Sequence, residues 1–226
     1  MTVDVTDPDA DLEPADAPAS RLRGVLLVVI AVAVLVAGVA GGFAWGSHSS
    51  TDSGAKPSAV DIGFARDMAA HHQQAIEMAG YARDNSTNPN IVHLAYDIET
   101  NQSIELGEMT GWLDSWGLTR YSANPMAWMG HTHPLVDNLM PGMATSAQIT
   151  KLMSSKGRAL DVLFLQLMIH HHQGGAPMAR YAAQHASEDY VRTLAGHMLA
   201  NQTTETVEMS RLLTSLGGTP LPPPAG

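Results

Sequence analysis

The chain has 226 residues, with 12 Lys and Arg against 22 Asp and Glu, 11 histidines, 13 methionines and no cysteine. That length allows one domain or a small pair. Without cysteine there is no disulfide, thiolate ligand, thiol nucleophile or lipidated-cysteine anchor, and with no basic stripe there is no case for a nucleic-acid partner.

Residues 1–23 read as a disordered acidic tail. Asp4, Asp7, Asp9, Asp11, Glu13 and Asp16 lie there without a base before Arg21, and such a stretch cannot bury apolar surface. Residues 24–45 contain no charge and approach the ~20 residues a helix needs to cross a bilayer core. Arg21 and Arg23 precede them, which places the N-terminus in the cytoplasm and the C-terminal domain outside it. The expectation is a single-pass anchor in the cell membrane. If Gly38-Val39-Ala40 were instead a cleavage site, the domain would be secreted. Residues 46–59, small and polar, form a flexible linker.

From residue 60 to 217 the chain is a duplicated domain. Residues 61–117 recur at 161–217, displaced by 100 positions without a gap. At ~100° per residue, Phe64, Met68, His72, Ala75, Ala79 and Ala82 fall on one stripe of a helix running from Val60 to about Asp84, with His71 and Met78 at its edge. Asn85 to Pro89 breaks that helix. A second helix comes next, with Ile91, Ala95, Ile98, Gln102, Leu106, Met109 and Leu113 on one face, and ends near Gly117. A connector over 118–145 leads to a short helix, Ala147–Ser155, capped by Ser146. The second copy repeats the hairpin over Ala159–Ala186 and Glu188–Leu216, and residues 218–226 read as a disordered tail. One hairpin cannot bury its stripe alone, so two packed face to face predict an all-α, antiparallel four-helix bundle.

Polar residues interrupt that stripe twice. His72 and His172 share it with Gln102 and Gln202 on the partner helices, and an unpartnered buried imidazole or amide costs roughly 1–3 kcal/mol. Glu105 and Glu205 lie one turn beyond the glutamines. Met68 and Met168 precede the His71/His72 and His171/His172 pairs by three and four residues, on the same helix face. Thioether, imidazole and carboxylate are therefore expected to converge in one layer in each copy. Glu108 and Glu208 lie off the stripe and read as solvated. Pro177, where the first copy has Glu77, predicts a kink beside the second pair. Met126, Met129, His131, His133, Met140 and Met143 in the connector form a second candidate cluster. Thioether with imidazole suits Cu(I), and imidazole suits Cu(II). Affinity is expected to fall below about pH 6 as imidazoles protonate.

The segments FARDMAAHHQQAIEMA and DVLFLQLMIHHHQGGAPMA, with MPGMAT between them, resemble the family called domain of unknown function 305. The resemblance spans about residues 60–217. It implies a ferritin-like fold, bacterial export or membrane anchoring, and an association with copper. By motif it carries over Met68, His71, His72, Met78, Met168, His171, His172 and Met178. The copies differ where Gln74 and Glu77 become Gly174 and Pro177. No Glu-x-x-His of the di-iron kind occurs, which weighs against an iron or manganese oxidase and towards a softer metal. The expectation is a copper-binding protein that buffers, sequesters or transfers the ion rather than an enzyme, with zinc or iron as alternative metals. A metal-dependent oxidase and a metal-free interaction domain are the rival readings. The sequence names no protein partner.

Overall fold

The computed structural model describes residues 56–130 and 135–224. The acidic tail, the apolar run at 24–45, most of the linker, His131 and His133 lie outside them. Among the described residues, no helix is long and apolar enough to cross a membrane.

Five α-helices succeed one another among the described residues: α1 (Ala59–Asn85), α2 (Pro89–Ser115), α3 (Ser146–Ser154), α4 (Gly157–His185) and α5 (Asp189–Ser215). No strand occurs among the described residues beyond one isolated bridge, Val136 to Leu139. Local chemistry sets the helix ends. Ser58 and Asp61 form a reciprocal capping box at the start of α1. Asn88 accepts from Asn90 N, with Pro89 in the first turn of α2. The cap of α3 is Thr145 rather than Ser146. Thr145 has the extended backbone and finds Gln148 three residues on, so Ser146 becomes the first helical residue. Gly117 and Gly217 adopt φ +68° and +66°. That left-handed geometry lets Leu118 N reach Leu113 O at 2.8 Å and Gly218 N reach Leu213 O at 2.9 Å, closing both hairpins alike. Pro177 does not end α4, which runs unbroken through it.

α1 packs on α2, α4 packs on α5, and the two hairpins meet chiefly through α1 against α4. The pairing is antiparallel: Phe64 shares an apolar cluster with Met178 and Ala182, and Phe164 shares another with Met78 and Ala82. Each fully buried large side chain in these clusters contributes about 1.5–3 kcal/mol relative to exposure. The paired histidines lie near the midpoints of α1 and α4, between the two clusters.

The connector makes the two halves unequal. Asp67, whose counterpart is Leu167, is buried and accepts from Met126 N (2.6 Å) and Trp128 Nε1 (2.8 Å). Gly63 leaves room for the indole, since a Cβ there would meet its ring at 2.2 Å. The chain then crosses α4 at Gly174, where a Cβ would lie 2.0 Å from Pro141 O. Gln74 accepts from Ala144 N (2.6 Å) and donates to Ala144 O (2.9 Å). The Gln74/Gly174 difference therefore marks the path of the connector. The C-terminal tail, expected to be disordered, lies along α4 as far as Pro224: Gln166 donates to Thr219 O at 2.8 Å and His170 Nδ1 to Pro222 O at 3.0 Å.

Candidate metal centre

Antiparallel packing brings His71 against its own repeat image. The rings of His71 and His171 lie 3.7 Å apart between centroids, tilted by 39°. His172 is 6.3 Å from His171 on the same scale. All four imidazoles of the two pairs are buried, as are Gln102, Gln202 and Glu105. Glu205 is half-buried. Gly175 permits this density: a Cβ there would approach Gln202 Oε1 at 3.1 Å and His71 Cε1 at 3.2 Å.

The hydrogen bonds share one pattern. His71 Nε2 lies 3.1 Å from Pro141 O, and His171 Nε2 lies 3.0 Å from His71 O. A carbonyl can only accept, so these Nε2 atoms carry the proton. His72 Nε2 meets Glu105 Oε2 at 2.8 Å, and His172 Nε2 meets Glu205 Oε2 at 2.8 Å. An ionised carboxylate, which can only accept, imposes the same tautomer. Every Nε2 is thereby occupied, while the four Nδ1 atoms are buried without a protein hydrogen-bond partner. Neither amide atom of Gln102 or Gln202 has one.

Charge is displaced in the same sense. Burial, opposed by the Pro141 carbonyl and reinforced by the neighbouring histidines, pushes His71 down to about 3. Burial and repulsion from His172 outweigh the attraction of Glu205 and take His72 to about 3. His171 is pushed well below the ordinary imidazole value by burial first and then by the other three rings. These rings are neutral at pH 7, so the expected loss of lone pairs below about pH 6 does not apply to them. Burial, and then the neighbouring Glu205, push Glu105 up to about 7, against attraction from His172 and His197.

The structure gathers the imidazoles, carboxylates and amides, but it places the methionines differently from the single mixed layer expected. Met68 and Met178 pack in one apolar cluster, and Met78 and Met168 in the other, on either side of the polar layer. Their long apolar side chains fill the space beside small alanines, which helical spacing alone could not separate from ligation. Glu108 and Glu208 are exposed. In the connector, Met126, Met129 and Met140 are buried against the Phe64 cluster, and Met143 packs partly against it. Sequence reasoning missed Asp67. The signal was a carboxylate standing where the second copy has leucine.

Among the described residues, no three His, Cys, Asp or Glu side chains surround a common point closely enough to form a ready-made metal site. The donor chemistry nevertheless fits a metal. Four buried imidazoles present Nδ1 atoms without a protein partner, each ring fixed through Nε2 by a carbonyl or carboxylate, which is how ligating histidines are oriented.

Fold and site together define a helical-hairpin bundle with a duplicated, buried imidazole layer. The chain belongs to the family domain of unknown function (DUF305), whose sequence profile matches residues 61–213. A DUF305 protein of Streptomyces coelicolor is similar at 40% identity and TM-score 0.67, over 72% of this chain and 97% of that one. A DUF305 fragment of Deinococcus radiodurans is similar at 25% identity and TM-score 0.61, over 71% of this chain and 99% of that one. CopM in its Cu(I)-bound form shares the fold at 24% identity and TM-score 0.54, over 70% of this chain and 98% of that one. No curated protein matches the chain.

Proposed function

We propose that this chain is a membrane-anchored, extracytoplasmic protein with a ferritin-like bundle that binds copper as cargo, for buffering, sequestration or transfer. The observation that carries the reading is the set of four buried Nδ1 atoms whose rings are oriented through Nε2. Those nitrogens and the two glutamine amides have no protein partner, and a buried polar group left unsatisfied costs about 1–3 kcal/mol, so the layer needs a metal ion or ordered water to complete it. The similarity to CopM, known with Cu(I) bound, supports a metal-related role in the family. His71, His72, His171 and His172 would hold the ion, Glu105 and Glu205 would orient imidazoles and offset its charge, and Gln102 and Gln202 would complete the shell. Met68, Met78, Met168 and Met178 are the thioethers available to Cu(I) from the flanking apolar layers.

The test is titration of the purified full-length chain with Cu(I), Cu(II) and Zn(II). The wild type should bind copper stoichiometrically. The His71/His72/His171/His172→Gln variant, with its helical circular dichroism retained, should lose at least 100-fold in affinity for the tightest equivalent. Unchanged affinity in that variant would remove the assigned site.

A further inference from the structure

On the outer side of α4, the connector and the C-terminal tail enclose a cleft of about 390 Å³. Met140 and Met143 line it from the connector, His170 from α4, and Pro222 to Pro224 from the tail. His170 immediately precedes the paired histidines, yet a helix turns it about 100° away from His171. It is half-buried where they are buried, and its counterpart in the first copy is Ala70, so it stands outside the duplicated layer.

Two features make the cleft a built arrangement. His170 Nδ1 lies 3.0 Å from Pro222 O. Since the carbonyl can only accept, Nδ1 carries the proton and the neutral ring keeps a lone pair on Nε2. The Met-Pro-Gly-Met turn is pressed onto the same stretch of helix. Gly142 has φ +82°, a Cβ on it would come within 2.6 Å of His170 O, and Met143 N closes the turn on Met140 O at 3.1 Å. Both methionines thus line the same cleft as the imidazole, from a turn fixed on the helix. Two thioethers and a neutral imidazole suit a soft monovalent cation better than zinc or calcium. Asp137 also lines the cleft.

We propose that this cleft binds one soft monovalent cation of the Cu(I) or Ag(I) class through Nε2 of His170 and the thioethers of Met140 and Met143. The site uses none of the donors of the buried layer and stands or falls separately from it. It is continuous with that layer through Pro141, whose carbonyl accepts from His71 Nε2.

The experiment is a Cu(I) titration of the full-length chain against a Cu(I)-selective chelating dye, paired with long-range ¹H–¹⁵N spectra of the histidine rings during Ag(I) addition. His170→Gln can still donate to Pro222 O, and Met140→Leu/Met143→Leu keeps the apolar volume. Each variant should lose one equivalent or bind it at least 10-fold more weakly. The His71/His72/His171/His172→Gln variant should retain that equivalent, and the His170 Nε2 resonance should shift saturably with Ag(I). Full stoichiometry and affinity in both cleft variants, or an unmoved His170 Nε2 resonance at saturation, would overturn the proposal. Loss in the cleft variants without loss in the buried-layer variant would establish this site while refuting the other.

Discussion

Asp61 shows how one side chain ties the two repeats together. As the third residue of α1 it accepts from Ser58 N at 2.7 Å. From the opposite repeat it also accepts from Ser187 N (3.2 Å), Glu188 N (3.0 Å) and the Ser187 hydroxyl. No side chain of α5 caps its own start, so Asp61 satisfies backbone donors there on behalf of the other hairpin. Burial would raise its pKa, but the hydrogen bonds from Ser187, Ser58 and Glu188 outweigh it and hold the carboxyl below the usual range. Asp161 answers with a single bond from Ser86 Oγ at 2.6 Å. The asymmetry yields a prediction. Asp61→Ala should cost about 2–4 kcal/mol, because it leaves several donors unpaired, and Asp161→Ala about 1 kcal/mol. Urea unfolding of both variants measures the difference, and equal losses would contradict the bracing role given to Asp61.

The elements themselves were largely legible, because each hairpin carries a single apolar stripe at helical period and the duplication doubles the signal. Gln102 and Gln202 announced a polar layer for the same reason: an amide mid-stripe must point inward with its neighbours. What periodicity could not encode was the path of the connector. Two of the four Nε2 partners are backbone carbonyls, Pro141 O and His71 O, set by where one segment crosses another rather than by any motif. The place of the methionines was hidden too, since an inward thioether and an inward ligand have the same spacing. The Gln74/Gly174 mismatch, by contrast, was visible but unreadable until the crossing was seen. Gly174→Ala therefore tests the connector as an element. Better helix propensity should contribute about 1 kcal/mol, but a methyl placed 2.0 Å from Pro141 O must displace the turn, at an overpacking cost of about 1–3 kcal/mol. The expected result is a small net destabilisation with a large rise in protease cleavage within residues 135–145, read by limited proteolysis and mass spectrometry. Gly107→Ala, where a Cβ meets nothing within 4 Å, should leave the connector protected.

At the scale of the whole domain, a polar layer between two apolar clusters makes stability depend on protons. His71 and His72 fall from an ordinary 6.5 to about 3, and His171 is displaced the same way. For such groups the unfolded chain binds protons that the native state refuses, so stability is present above about pH 6.5 and is lost as pH falls below it. Glu105 runs the other way, from 4.5 to about 7, so its contribution is present at low pH and is lost as pH rises through about 7. Between about pH 4.5 and 6.5 the unfolded chain takes up three protons on these imidazoles, while the native state already holds one on Glu105. The difference is two protons, or up to about 2.8 kcal/mol per pH unit. Below about 4.5 the unfolded glutamate also protonates, and the difference becomes three. Stability of the metal-free protein should therefore level off above about pH 7 and collapse on the acid side well before carboxylate titration alone would cause it. Denaturant titrations from pH 4 to 8 measure the slope. Glu105→Gln should steepen the limb between about pH 4.5 and 6.5 by about one proton. A flat profile across that interval would mean that the imidazole layer is hydrated rather than buried, and with it the orientation of the four Nδ1 atoms would lose its basis.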